Sequence, residues 1–237
     1  MKSITTRQLA REFLHFIYPD VCVHCTRELT VSEQFLCMYC EEDLPLTRFP
    51  STQKNTVTDI FYGRIPLVYA DAFCYFRKQG AMQRLLHYLK FMHQPGIGHY
   101  LGLFMGFQML NRPWYELPDY IIPVPLHPKK QRIRGYNQSE ELAKGMHRVC
   151  ETPILYNVLK RGENTRSQTR LSRWDRWKNV SQGFYVENAE GLPPCAHILL
   201  LDDVITTGAT LEACSEKLLE KRSDLRISIM SAALARE

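Results

Sequence analysis

Residues 199–210 read LLLDDVITTGAT. The three leucines predict a strand of a parallel sheet covered on both faces, because a strand with one wet face would alternate apolar and polar residues. Asp202 and Asp203 then stand at that strand's carboxyl end, where open α/β sheets bind their ligands. From Thr206 through Thr207, Gly208 and Ala209 to Thr210 the chain offers hydroxyls, a glycine that permits close backbone approach, and successive N–H groups opening a helix. Oriented amides and the helix dipole make such a turn an anion site. Two acids beside it would repel a bare phosphate, so the pattern points to a phosphorylated sugar whose hydroxyls donate to the carboxylates. Ribose 5-phosphate fits. An ordinary strand-turn-helix junction has no packing need for Asp-Asp followed by Thr-Thr-Gly.

A second chemical feature lies upstream. A short strand over 119–124 is closed by Pro123 and Pro125, and residues 127–145, HPKKQRIRGYNQSEELAKG, follow it. Lys129, Lys130, Arg132 and Arg134 are expected to crowd a loop facing the same crevice as Asp202. Gly135 and Asn137 allow a turn, and Ser139 or Asn137 can cap a helix continuing through Leu142 and Met146. Cations in that position suit a departing pyrophosphate; a solvated basic turn is the plain alternative. A strand over 153–159 comes next, then a charged segment with Arg161, Arg166, Arg170, Arg173 and Arg176 and no apolar period. These arginines can reach the phosphates of a small ligand or of a nucleic acid, and residue type alone does not separate the two. Trp174 and Trp177 suit packing or base stacking.

Around these features the periodicity predicts a strand over 67–76 and a helix over 82–91 with Leu85, Leu86 and Leu89 on one face. A second helix runs through Leu103, Phe107 and Leu110; after the phosphate turn come a helix through Leu211, Leu218 and Leu219 and a closing strand over 225–234. The fold class is α/β, and 237 residues suffice for one sizeable domain plus a small module. No apolar run reaches the roughly 18 residues of a membrane span. Near the start, Leu9, Phe13, Phe16 and Ile17 recur at helical spacing but are broken by Arg11, Glu12 and His15, unlike a signal peptide, so a cytoplasmic protein is expected. Charge is uneven: residues 120–185 carry 13 Lys and Arg against 5 Asp and Glu, the rest 17 against 20, so positive charge gathers where phosphates would be handled.

Cys22-x2-Cys25 and Cys37-x2-Cys40 form two knuckles separated by eleven residues, the spacing at which two turns wrap one tetrahedral zinc. A disulfide framework would need an oxidising compartment, which no signal peptide supports. Four thiolates close the site and make it structural, leaving His24 and Tyr39 as surface or packing residues. The other cysteines, Cys74, Cys150, Cys195 and Cys214, are expected to be small buried hydrophobes. A polar stretch over 44–64 then crosses to the main domain. The expected division is 1–60 for the N-terminal helix and zinc module and 61–237 for the main domain.

The DD-x-x-TTG-x-T pattern resembles the phosphoribosyl pyrophosphate (PRPP) signature of type I phosphoribosyltransferases. Taken with the four-cysteine module, IPVPLHPKKQRIRGYNQSEELA, the segment with Thr165-x-x-Gln168-x-x-Leu171, Arg176-x-x-Asn179 and Gly183-Phe184, the chain resembles the ComF family over nearly its whole length. Those are bacterial phosphoribosyltransferase-like proteins linked to natural competence and DNA uptake, the GntX branch included. Lys90-Phe91-Met92-His93 departs from the family's Lys-Tyr-Arg-Gly-like turn, and Lys90 is left out of the expected site. The resemblance implies a parallel sheet with flanking helices and a hood, here drawn from residues 61–118. Asp202 and Asp203 would be the catalytic acids on the ribose 2- and 3-hydroxyls, and Thr206, Thr207, Gly208, Ala209 and Thr210 would hold the 5-phosphate. Lys129, Lys130, Arg132, Arg134, Arg170, Arg173 and Arg176 would hold pyrophosphate or nucleic acid. Two functions stay open. One is a PRPP-binding protein serving uptake of single-stranded DNA, with uptake-machinery proteins as partners; the other is an active, magnesium-dependent phosphoribosyltransferase of base metabolism with no role in DNA handling.

Overall fold

The computed structural model describes residues 19–49, 54–112, 116–162 and 183–235. Along the chain run α1 (Met38–Glu42), α2 (Thr56–Phe61), β1 (Leu67–Phe76), α3 (Ala81–Phe91), α4 (Gly96–Leu110), β2 (Tyr120–Pro123), α5 (Pro128–Arg134) and α6 (Gln138–Cys150). They are followed by β3 (Leu159–Arg161), β4 (Phe184–Val186), β5 (His197–Ile205), α7 (Ala209–Lys221) and β6 (Arg226–Ala235).

Four strands form a parallel sheet in the order β1-β6-β5-β2. The leucine run is apolar at every position because both sides of β5 are covered. Leu199 and Leu201 pack with α3, α4 and α6, whereas Ile198 and Leu200 pack with Phe61, Leu211 and Leu218 on the other face. All four are fully buried. Of residues 61–118, expected to build the hood, ten form β1, a strand of the sheet itself, and two helices lie on its face. The outer side of β1 is not left as an open edge: Thr47 N donates to Phe73 O (3.1 Å), Tyr75 N to Pro45 O (2.8 Å) and Asn55 Nδ2 to Ala70 O (2.9 Å).

Two sequence expectations are corrected. Over 153–159 the chain makes one parallel bridge, Ile121 to Ile154, then bends and starts β3 at Leu159, antiparallel to β4. The bend includes Asn157, a strand-averse residue whose Oδ1 accepts from Lys160 Nζ (2.8 Å). The basic segment is likewise not a loop. Pro128 opens α5 at its first position, His127 caps it by accepting from Lys129 N (3.2 Å), and Gly135 ends it at φ 81°. Asn137, not Ser139, caps α6, accepting from Ser139 N (3.1 Å).

Helices α4 and α6 meet backbone to backbone. A methyl on Gly102 would lie 2.1 Å from Leu142 O, and one on Gly145 2.1 Å from His99 O, so only glycine fits on either side. The N-terminal module joins the same core: Leu29, Leu36 and Leu44 pack with Tyr100, Leu101 and the rest of the α3-α4-α6 layer. Phe35 meets Tyr100 edge-on (5.5 Å), and Tyr100 Oη donates to Glu41. Among the described residues, no helix is long and apolar enough to cross a membrane. The amphipathic start around Leu9 to Ile17 and the pair Trp174 and Trp177 lie outside the described residues.

Candidate functional site

Strand β5 runs past the end of β2, whose ladder stops at the Pro123 to Leu201 pairing, so Asp202 and Asp203 project where the sheet loses a strand. The first turn of α6 faces them. Asp202 Oδ1 accepts from Ser139 Oγ (3.2 Å) and from Asp203 N (2.8 Å). Burial first, and the neighbouring Asp203 charge second, push the Asp202 carboxyl up to about 7. Asp203 is held by Lys90, whose Nζ lies 2.8 Å from Oδ2.

The turn from Thr206 to Thr210 is built against α2. Gly208 caps α7 at φ 78°, and a Cβ there would come within 2.7 Å of Phe61 and 2.8 Å of Ile60. Arg64 fastens the turn from outside. Its Nη1 donates to Ile60 O (2.8 Å) and Thr207 O (3.3 Å), and its Nε to the buried Glu212 (2.8 Å) in the first turn of α7, which Nη2 also reaches. This bidentate pair keeps the turn closed onto the helix start. Thr206 and Thr207 are exposed, Gly208 is buried, and Ala209 and Thr210 are half-buried.

A cavity of about 170 Å³ opens over the acids. Lys90, Lys130, Arg134 and Arg161 line it together with Ser139, Asp202, Asp203 and Thr210. The helical form of α5 sorts its cations: Lys130 and Arg134, one turn apart, reach the cavity, whereas Lys129 and Arg132 are exposed on another face of the helix, outside the lining. Arg170, Arg173 and Arg176 lie outside the described residues, as do Thr165, Gln168, Leu171 and Asn179. Sequence reading missed three contributors. Lys90 carried one signal, a cation in the last turn of a helix; Ser139 was considered only as a cap; nothing in the sequence marked Arg64 for Glu212.

The four N-terminal thiols converge. All four Sγ atoms lie within 4.8 Å of one another, and Cys25 and Cys37 are 3.6 Å apart. A tetrahedron with metal–sulfur bonds of about 2.3 Å has edges of about 3.8 Å, so the set can take one ion. Cys22 N and Thr26 N close the first knuckle on Arg27 O (2.8 Å) and Cys22 O (3.0 Å), and Glu33 accepts from Thr30 N and Met38 N (both 2.7 Å) to tie the second. Burial opposes the Cys22 thiolate, yet backbone N–H groups outweigh it and draw the thiol down to about 7. Tyr39 is exposed with the Arg27 guanidinium over its ring (4.6 Å), a surface role as expected. Of the other cysteines Cys74 and Cys214 are buried, but Cys150 is half-buried and Cys195 is exposed, because its left-handed turn (φ 56°) precedes β5 instead of joining it.

Over 239 aligned residues, 90% of this chain and 96% of the other, the sequence is 30% identical to Competence protein F of Haemophilus influenzae. The chain belongs to the ComF family. It is also 32% identical to the DNA utilization protein YhgH of Escherichia coli O157:H7 over 139 residues, 57% of this chain and 60% of that one. No family model matches it. Among solved structures it is similar to the adenine phosphoribosyltransferase of Leishmania tarentolae, at 12% identity and a TM-score of 0.33 over 61% of this chain and 73% of that one. This ComF chain, a relative of a competence protein, combines a parallel sheet and flanking helices with a four-cysteine cluster in front. The turn after α3 has a clear packing role. Tyr136 Oη donates to Leu89 O (2.5 Å), the Arg134 guanidinium lies over the Phe91 ring (5.3 Å), and His93 Nδ1 meets Arg134 O (3.2 Å). The turn that carries Lys90 and the end of α5 that carries Arg134 are therefore one assembly.

Proposed function

We propose that this protein binds PRPP or a related phosphorylated ribose at the carboxyl end of β5 and uses that site in the handling of single-stranded DNA during uptake. The observation that carries the reading is the cavity in which four cations from three separate elements meet two adjacent carboxylates beside a helix start. Asp202 and Asp203 accept from ribose hydroxyls, the amides from Gly208 onward hold the 5-phosphate, and Lys130, Arg134 and Arg161 balance the remaining phosphates. The split of α5 favours a second ligand: Lys129 and Arg132 point away from the cavity, as suits a polymer backbone. The names of the relatives, a competence protein and a DNA utilization protein, support the same reading.

In residues 1–60 the cysteine set fits zinc, which Cys22, Cys25, Cys37 and Cys40 would hold as a closed, structural ion. Magnesium does not fit the acids as they stand, because Asp203 already has an ammonium at 2.8 Å and Asp202 Oδ1 already accepts twice. The competing reading is an active phosphoribosyltransferase with no part in DNA handling. The test is calorimetry of the full chain with PRPP and ribose 5-phosphate, followed by incubation of PRPP with a panel of bases. Binding without pyrophosphate release fits a ligand-sensing role, release with a particular base makes the protein an enzyme, and absence of binding removes the phosphoribose site.

A further inference from the structure

Two acids in one small cavity need a counter-charge, and here the chain supplies it. Lys90 extends from the last turn of α3, where helix carbonyls favour a cation, and its ammonium lies 2.8 Å from Asp203 Oδ2 with both side chains largely covered (24% and 14% exposed). It is not a loose surface lysine. Its own helix end is fastened to the start of α6 through Tyr136 and to the end of α5 through Phe91 and His93. Asp202, the other acid, is turned to protein donors at Ser139 Oγ and Asp203 N. Counting the groups that line the cavity, Lys90, Lys130, Arg134 and Arg161 face Asp202 and Asp203, an excess of positive charge before any ion enters. A divalent cation would approach two ammonium and two guanidinium groups; an anionic sugar phosphate would approach a complementary field.

We propose that Lys90 is the resident cation of the acidic pair, so that this site recognises a phosphorylated ribose without a divalent metal. The inference rests on the phosphoribose reading above and adds to it a substrate form, the metal-free anion. Lys90 neutralises Asp203 and leaves that carboxylate oriented for a ribose hydroxyl, while Lys130, Arg134 and Arg161 take the charge that a metal would otherwise cover.

The experiment is calorimetry of the full chain with PRPP, once in EDTA and once in magnesium, on the wild type, Lys90→Met and Lys90→Arg. The wild-type affinity should change by less than about threefold between the two buffers, whereas Lys90→Met should weaken binding in EDTA by about tenfold or more, the worth of one charge-assisted contact. Magnesium should restore binding to Lys90→Met, and magnesium alone should raise the melting temperature of that variant but not of the wild type. Lys90→Arg should stay near wild type. Wild-type binding that vanishes in EDTA and returns with magnesium overturns the inference while keeping the phosphoribose site, and this arm needs no variant to fold. Lys90→Met binding as tightly as wild type in EDTA also overturns it. No binding in either buffer removes the phosphoribose reading and this inference with it.

Discussion

The acidic strand end and the cysteine cluster meet the same problem in opposite ways. Each packs like groups that repel once ionised, two carboxylates in one case and four thiols in the other. At Asp202 and Asp203 the fold brings basic side chains from α3, α5 and β3 to the acids. Around Cys22, the groups that draw the thiol down are backbone N–H groups and the Cys25 thiol, donors without net charge. A site with internal cations is complete as folded and ready for an anion; a site of thiols with only dipoles around it calls for an ion from outside.

The largest expected effect tests the second half of that contrast. Freshly reduced protein should carry one zinc per chain, and stripping it should cost the module on the order of 10 kcal/mol, as in other folding-coupled zinc sites. Elemental analysis finding no metal would break the comparison outright. Because Leu29, Leu36 and Leu44 share a core with Tyr100 and Leu101, hydrogen exchange should show the loss reaching α4.

A smaller effect comes from Asp202. Its carboxyl titrates near 7 when folded and near the ordinary carboxylate value when unfolded, so between those pH values the native state holds more protons. Stability therefore falls as pH rises from about 4 to about 7, by on the order of 2 to 4 kcal/mol, and levels off above. Urea denaturation against pH should show this slope, and Asp202→Asn should flatten it; an unchanged slope in the variant would assign it elsewhere.

Smaller again, Asp203→Asn should weaken PRPP by about tenfold, the loss of one charge-assisted contact, read by calorimetry. The least effect concerns the outer face of α5. Lys129→Ala with Arg132→Ala should leave PRPP affinity unchanged but lower the salt slope of single-stranded DNA binding by about 0.7 for each phosphate contact removed. Equal losses for both ligands would erase the division between the faces of α5.

The parts of this arrangement that depend on local pattern were legible in the sequence. The run through β5, its acids and the glycine turn are contiguous, and β1 matches the predicted 67–76 because nine of its ten residues are apolar, aromatic or small, with Asp71 the exception. The helix in the basic segment was hidden because its repeat is one of charge, Lys130 to Arg134, with no apolar stripe to announce it. Lys90 was left out of the expected site for a different reason. It lies more than a hundred residues from Asp203, and only the sheet order, with β6 inserted between β1 and β5, brings the end of α3 over the acids.

The glycine contact between α4 and α6 gives the two contrasted regions a mechanical relation. With no room for even a methyl between Gly102 and Leu142 O, movement of α4 is passed to α6 rather than absorbed between them. At one end of that stack Tyr100 braces the cysteine module through Glu41; at the other, Ser139 holds Asp202. The four-cysteine front of the molecule is in this sense a buttress, and its integrity sets the aim of a hydroxyl on the far side of two helices.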